Sequence, residues 1–393
     1  MTWLMPAETA PHDRIWMAFP RACRTLSIGD PQGAYEAWTA VAHAVADFEP
    51  VTMVVDPSEL RRARRMLSAG IELVEAPLDD FWMRDFGPTF VLREDGGDGG
   101  GSDGSDSTSG SAPASSPTLG AVDWRFNAWG GGPHAEYRHD GEIARLVGAL
   151  AGAEPVPSTL VNEGGAIHVD GEGTVIITET VQLDPLRNPN LDKQRVEAEL
   201  LRTIGATHVI WLPRGLTRDY EEYGTRGHVD MVAAIPSPGT VLLHQQQNPD
   251  HPDAAVSRDL RAFLQTTQDA AGRDFHIVDL PAPAALEDAH GFVDWNYVNH
   301  LVVNDGIIAC GYDDDRADGR AREVLAEAYP GRRVVTVDAR EILLRGGGIH
   351  CITQQQPSVP TGQIQPTLPT APTLPTSPTR QAPPTRPTAP TRP

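Results

Sequence analysis

The sequence predicts a mixed α/β fold, on three observations. Short β-branched runs alternate with single amphipathic stretches along most of the 393 residues. Some neighbouring strand-like runs are separated only by turn residues, as at Pro236-Ser237-Pro238-Gly239, so hairpins are mixed with strand–helix–strand connections. That mixture argues against a purely parallel, doubly wound sheet. The chain also carries neither a glycine-rich dinucleotide fingerprint nor a phosphate-binding loop.

In order along the chain, Tyr35 to Phe48 places Trp38, Val41, Ala42 and Val45 at helical spacing. Val51 to Val55 is a buried-strand run. Asp56-Pro57 then reads as an N-cap and first helical residue of a helix reaching Leu67, followed by a strand from Ile71 to Val74. Thr89 to Leu92 and Ala121 to Phe126 are strand-like. Asp192 to Ile204 is helical and His208 to Leu212 a strand. Val229 to Ile235 and Thr240 to His244 form a hairpin. A helix from Ala254 to Ala271 and a strand from Phe275 to Leu280 follow. The last round is Val298 to Val303, Gly306 to Ala309, a helix from Arg316 to Tyr329 and a strand from Val334 to Val337. No fixed-period repeat is visible in the letters.

Two segments fall outside this fold. Residues 94–118 are almost entirely Gly, Ser and Asp, the composition of a solvated insertion, and they interrupt a hairpin connection. Residues 358–393 carry proline every third position over long spans (Pro366, Pro369, Pro372, Pro375, Pro378), which favours extended polyproline II over a packed core. One catalytic domain over 1–357 remains. The formal net charge of −21 argues against a nucleic-acid partner, which calls for a basic footprint, and is compatible with a cationic ligand. Cys23, Cys310 and Cys351 are too scattered for a disulfide framework or a zinc pattern. No basic-then-apolar leader and no membrane-length apolar run is present. These features predict a soluble, cytoplasmic protein with no membrane partner.

Four stretches concentrate chemistry: Asp79 to Pro88, Asn162 to Gly171, Gly224 to Asp230, and Gly346 to Pro357. In the last, three consecutive glycines permit close backbone approach just ahead of His350 and Cys351. His228 and Asp230 are two apart, so on an extended strand they point to one face. Each residue also has a plain structural reading. Cys351 alone is a small buried hydrophobe, Asp85 a loop carboxylate beside Arg84, Glu163 a turn former and Trp82 a core aromatic. Cys23, Cys310, His168, His208 and His244 are given no role. Together, however, the stretches offer a thiol, a histidine and several carboxylates. Carboxylates facing a thiol oppose its ionisation, so acids around a nucleophile imply an electrophile that is itself positive. A guanidinium fits, because its planar N–H pairs match carboxylates.

Through these motifs the sequence resembles the agmatine deiminases, within the guanidine-modifying (pentein) superfamily that includes arginine deiminases and Porphyromonas-type peptidylarginine deiminases. The resemblance runs from Met5-Pro6-Ala7-Glu8, through Trp16-Met17-Ala18-Phe19-Pro20, to Gln356-Pro357. Its strongest carriers are Gly346 to Pro357, then Glu163-Gly164-Gly165 with Asp170 to Thr174, and Arg187-Asn188-Pro189. The chain departs from the family pattern at Arg226, where an aspartate is usual, in the Trp129 to His134 stretch, which begins like the family and then diverges, and at Ala309 to Tyr312.

The resemblance implies a propeller of five ββαβ-type modules with a central active site. It implies Cys351 as nucleophile, His228 as acid and base, and Asp85 and Asp230 as guanidinium ligands. Glu163 matches the family's acidic residue paired with the histidine. Apart from the resemblance, Trp82 is by residue type a candidate substrate-binding side chain, able to stack on an alkyl chain or guanidinium. No metal or organic cofactor is implied, and family members are often homo-oligomers. The expected reaction is agmatine to N-carbamoylputrescine and ammonia through an amidino-cysteine, on an arginine-derived route to putrescine. Three alternatives stay open: a deiminase of arginine or peptidyl-arginine, an amidinotransferase, and a non-catalytic guanidine-binding protein.

Overall fold

The structure, a computed structural model, describes residues 2–93, 117–131, 136–221, 224–289 and 291–359. The body of the glycine-rich insertion, residues 132–135 and the chain beyond 359 lie outside the described residues. The fold is mixed α/β. In chain order its first part is β1 (His12–Ala18), α1 (Pro31–Ala46), β2 (Val51–Val55), α2 (Leu60–Met66) and β3 (Glu72–Glu75). Next come α3 (Met83–Phe86), β4 (Thr89–Arg93), β5 (Thr118–Arg125), α4 (Asp140–Leu150) and β6 (Glu154–Val161). The middle of the chain forms β7 (His168–Val169), β8 (Thr174–Thr178), α5 (Glu179–Gln182), α6 (Lys193–Ile204) and β9 (His208–Leu212). These are followed by β10 (Ala233–Ser237), β11 (Thr240–Gln245), α7 (Asp253–Leu264), β12 (His276–Pro281) and a small hairpin, β13 (Glu287–Asp288) with β14 (Gly291–Phe292). The last part is β15 (Leu301–Val303), β16 (Gly306–Gly311), α8 (Asp315–Ala328), β17 (Arg333–Asp338), α9 (Arg340–Leu343) and β18 (Thr353–Pro357).

One plan recurs among the described residues. An antiparallel pair is followed by a helix that returns the chain to a third strand, parallel to the second. It occurs in β4-β5-β6, β7-β8-β9, β10-β11-β12 and β15-β16-β17. The same plan closes the chain's two ends, because β18 pairs antiparallel with β1, which runs parallel to β2. A parallel neighbour requires a crossover, which is why each plan contains a helix.

The apolar face read for α1 is buried as expected: Trp38, Val41, Ala42 and Val45 are fully enclosed. They join Trp16, Phe19 and Phe81 in the larger of two hydrophobic clusters. Burying each such side chain stabilises the fold by roughly 1.5–3 kcal/mol. The helix has its N-cap in Asp30, whose carboxylate accepts from the Gln32 amide, with Pro31 at the first position.

Several boundaries differ from the sequence reading. The helix expected from Pro57 begins at Leu60, because Asp56 spends its carboxylate on the Ser58 amide and hydroxyl in a turn. Thr118 already pairs with Arg93, and Ser358 still bonds Pro11 and Asp13, so the fold reaches slightly into both segments read as outside it. The largest correction concerns the expected strand from Val229. Val229–Met231 is a 3₁₀ turn, and β10 starts only at Ala233. The cause is Asp219, whose carboxylate accepts from the amides of Thr225, Gly227 and His228. Gly227 and Arg226 adopt φ of +109° and +73° and turn the chain back over it. His228 and Asp230 therefore reach a common site from a turn and not from one face of a strand. No helix among the described residues is long and apolar enough to cross a membrane.

Candidate active site

The segments just ahead of β4, β7, β10, β15 and β18 converge. They bring Asp85, Glu163, His228 with Asp230, Asn299 and Cys351 together, all buried. Each segment follows the end of one repeat of the plan and precedes the first strand of the next. Five equivalent places in the fold thus supply the side chains.

Cys351 is 3% exposed. Its Sγ lies 3.5 Å from Asp230 Oδ2 and accepts from Asn299 Nδ2 at 3.2 Å, while its amide donates to Asn299 Oδ1 at 3.3 Å. Burial, then the negative charges of Asp230 and Asp85, hold the thiol well above its ordinary value. A Cβ on Gly347 would stand 2.6 Å from the Trp82 ring and 3.1 Å from the thiol, which is why glycine is required here. Cys23 and Cys310 are also pushed up, to about 12, chiefly by burial.

His228 is fully buried. Its Nε2 stands 3.1 Å from Glu163 Oε2 and its Nδ1 3.8 Å from Asp85 Oδ1. Burial pulls the imidazolium down, yet Asp85, Glu163 and Asp230 together outweigh it and raise its pKa to about 9. Glu163 stays ionised, at about 2: burial opposes its charge, but Arg187 and His228 more than compensate. The Arg187 Nε sits 2.9 Å from Glu163 Oε1, and the same guanidinium binds Asp184 at 3.1 Å and the Thr225 carbonyl at 2.7 Å. Arg187 thereby ties the glutamate to the loop that carries the histidine.

Asp85 accepts from the Trp129 indole N–H at 2.8 Å and the Gly165 amide at 3.1 Å. Burial raises it to about 6 against the pull of His228, with Asp230 and Glu163 adding to the rise. Gly165 is the tightest point: an added Cβ would lie 2.6 Å from His228 Nδ1 and 2.9 Å from both Asp85 Oδ1 and Asp230 Oδ2. Gly165→Ala is therefore expected to lower kcat/KM at least ~10-fold and stability by about 1–3 kcal/mol, read by turnover and thermal melting.

A cavity of about 710 Å³ reaches Cys351, Asp85, Trp82 and Trp129, with Arg226 and Tyr220 in its outer wall. His228, Asp230 and Glu163 stand immediately behind this lining. Trp82 answers both descriptions given it from sequence. It packs on Phe81 (6.0 Å, stacked) and edge-on to Trp38 (5.7 Å), and it also faces the cavity. Among the described residues, no group of three or more His, Cys, Asp or Glu side chains is arranged to hold a metal ion.

The structure thus brings together every residue singled out: Cys351, His228, Asp230, Asp85, Glu163 and Trp82. Sequence reasoning missed Asn299, an isolated asparagine with no motif around it, and the indole donor Trp129. Arg187 stands out in the sequence only as part of the Arg187-Asn188-Pro189 motif. His168, given no role, lies 3.7 Å from Glu8 within a buried charged cluster.

The family model of the Porphyromonas-type peptidyl-arginine deiminases matches residues 4–357. A Streptomyces coelicolor protein that carries the agmatine deiminase name provisionally is 48% identical over 359 residues, covering 91% of this chain and 99% of the relative. The agmatine deiminase of Ectopseudomonas mendocina is 39% identical over 378 residues, covering 90% and 95%. Among solved structures, the agmatine deiminase of Enterococcus faecalis superposes with a TM-score of 0.80 at 30% identity, over 90% of this chain and 96% of that one. The chain belongs to the Porphyromonas-type peptidyl-arginine deiminase family.

Proposed function

We propose that the protein hydrolyses agmatine to N-carbamoylputrescine and ammonia through an amidino intermediate on Cys351, on an arginine-derived route to putrescine. The observation that carries this reading is a buried thiol set between two buried carboxylates, Asp230 at 3.5 Å and Asp85. Such a thiol is inert until a cation arrives. A guanidinium seated on the two aspartates neutralises them and replaces the unfavourable field with an attractive one. The substrate thus helps generate its own nucleophile.

The thiol proton leaves to solvent as the guanidinium binds. The Sγ lone pair then forms a bond to the guanidinium carbon, giving a neutral tetrahedral centre. His228, a cation at neutral pH, protonates one amino group, and the C–N bond breaks to release ammonia. The neutral imidazole takes a proton from water, and the resulting hydroxide adds to the carbon. Collapse expels the sulfur, which regains a proton, leaving the urea product. Glu163 keeps the imidazole oriented and stabilises its charged form. His228 Nδ1 and Asp230 Oδ1 are buried without a hydrogen-bond partner among the described residues, as befits atoms awaiting a ligand.

We also propose that the five repeats of the plan stand around one axis, as propeller modules with Cys351 near it. The equivalent position of the site residues, each ahead of a first strand, supports this.

Two ionisations set the expected pH profile of kcat/KM. Asp85 must be ionised to hold a cation, so activity falls as pH drops through about 6. His228 must enter protonated, so activity falls again as pH rises through about 9. A rate that climbs without limit above that value contradicts the assignment. A second reading, a substrate bearing a carboxylate, draws on Arg226, which faces the cavity half-exposed and 3.5 Å from Asp184. Ammonia release from agmatine, arginine and a peptidyl-arginine separates the two. Agmatine preferred is the expected result, and arginine preferred keeps the chemistry while overturning the substrate.

A further inference from the structure

Behind the thiol lies a buried charged chain that the reaction as written does not use. His350 precedes Cys351 directly, after the glycine turn, and its ring is enclosed. Its Nδ1 stands 2.8 Å from Asp230 Oδ2 and its Nε2 2.7 Å from Glu8 Oε1. An imidazole with a carboxylate on each nitrogen can donate to both only with two protons, so the ring is an imidazolium. Glu8 belongs to the N-terminal segment, far away in sequence, and its other contacts are also buried. Arg84 Nη1 lies 3.6 Å away, His168 Nε2 3.7 Å and Gln355 Nε2 3.3 Å. Arg84 in turn donates its Nε–H to the His350 carbonyl at 3.2 Å and its amide to the Cys351 carbonyl at 3.1 Å.

The charged groups around His350 oppose one another. Burial and Arg84 act against its charge, and Glu8 and Asp230 overcome them. The His168 ring lies parallel at 6.2 Å and is itself held down, chiefly by burial. His300 is pushed down to about 4, chiefly by burial, with the charge of His350 adding to the fall. Asp230 is held below its ordinary value: burial works against it, and the bond and charge of His350 come first among the groups that favour its charge, followed by His228 and Arg84. Without that bond a buried carboxylate beside a thiol reverts toward the neutral acid.

We propose that His350 and Glu8 are positioning residues: His350 grips Asp230 by Oδ2 and keeps it an anion, Glu8 keeps His350 a cation, and Oδ1 is left to a guanidinium N–H. This rests on the deiminase reading, in which Asp230 binds the substrate. It makes the N-terminal segment a working part of the site and assigns a role to the histidine beside the nucleophile.

The test is the pH profile of kcat/KM for agmatine in the wild-type protein, His350→Asn and Glu8→Gln. Asparagine retains a donor toward Asp230 without the charge, and glutamine retains the acceptor toward Nε2. In the wild type the acid limb reports Asp85 alone and has a one-proton slope. In His350→Asn, Asp230 joins it. The limb steepens toward two protons and moves to higher pH, with roughly tenfold more activity lost at about pH 6 than in the wild type, a factor equal to one pKa unit. KM rises more than kcat falls. Glu8→Gln, nearly isosteric, shifts the limb in the same direction by less, and it carries the test alone if His350→Asn does not fold. Folded variants whose kcat/KM drops by one constant factor at every pH, with the limb unmoved, overturn the proposal and leave a merely structural role. A wild-type protein that releases no ammonia from agmatine overturns the deiminase reading instead. The chain is then judged by the ¹⁵N spectrum of His350: imidazolium at about pH 7 upholds it, and neutral imidazole there refutes it.

Discussion

Cys351→Ala is expected to lower ammonia release from agmatine by about 10⁴-fold or more, since the sulfur that forms the covalent intermediate is gone. The fold should survive. The side chain lost is small, and its removal takes a thiol out of the field of Asp230 and Asp85, where its ionised form is disfavoured. Agmatine binding should also survive, because both aspartates remain. Equilibrium dialysis alongside turnover separates the two effects. A variant that neither binds nor folds leaves the chemistry undecided for alanine, and Cys351→Ser, closer in size and polarity, then serves in its place.

The second large effect is expected at His228. His228→Gln removes the proton donor for the departing ammonia and the base for water, a loss of about 10²–10⁴-fold. It falls in kcat, with KM little changed. Glu163 does not become an orphan charge, because Arg187 still holds it at 2.9 Å, so the expected loss of stability is modest. The decisive signature lies in the pH profile. The alkaline decline near 9 disappears, since the group whose deprotonation causes it is gone. An alkaline limb unchanged in the variant would assign that ionisation elsewhere.

Much of the fold was legible wherever burial is periodic. The strands Val51–Val55 and His208–Leu212 agree with the sequence reading to the residue, and α6 starts after its N-cap Asp192, whose carboxylate accepts from the Arg195 amide. Legibility failed where tertiary contacts and not apolar pattern decide. β18 is Thr-Gln-Gln-Gln-Pro, polar up to its final proline and yet buried. It is a strand because β1 pairs with it and Trp16 donates its indole N–H to Gln356 at 3.0 Å. No hydrophobic period announces that. The helical pattern runs on to Ala271, but α7 ends at Leu264. Thr266 and Thr267 turn their hydroxyls back on the Phe263 carbonyl, and Asp269 draws in the amides of Ala271 and Arg273, a local competition that a helical pattern does not reveal.

The candidate site divides in the same way. Cys351, His228, Asp230, Asp85 and Glu163 sit in short stretches dense in glycine and charge, which sequence displays directly. Asn299 has no such setting. Its importance comes from occupying, ahead of β15, the place that the other site residues occupy in their own repeats, and that equivalence exists only in three dimensions. Arg187, Asp219 and Glu8 act by holding other side chains, and a sequence does not show who holds whom.

The covalent role of Cys351 is tested most directly by mass spectrometry of the protein quenched during turnover of agmatine. The expected result is a peptide containing Cys351 that is heavier by agmatine less ammonia, appearing with a burst of ammonia equal to the enzyme present. Turnover with the added mass on another residue, or turnover that persists after Cys351 has been fully alkylated, would contradict it.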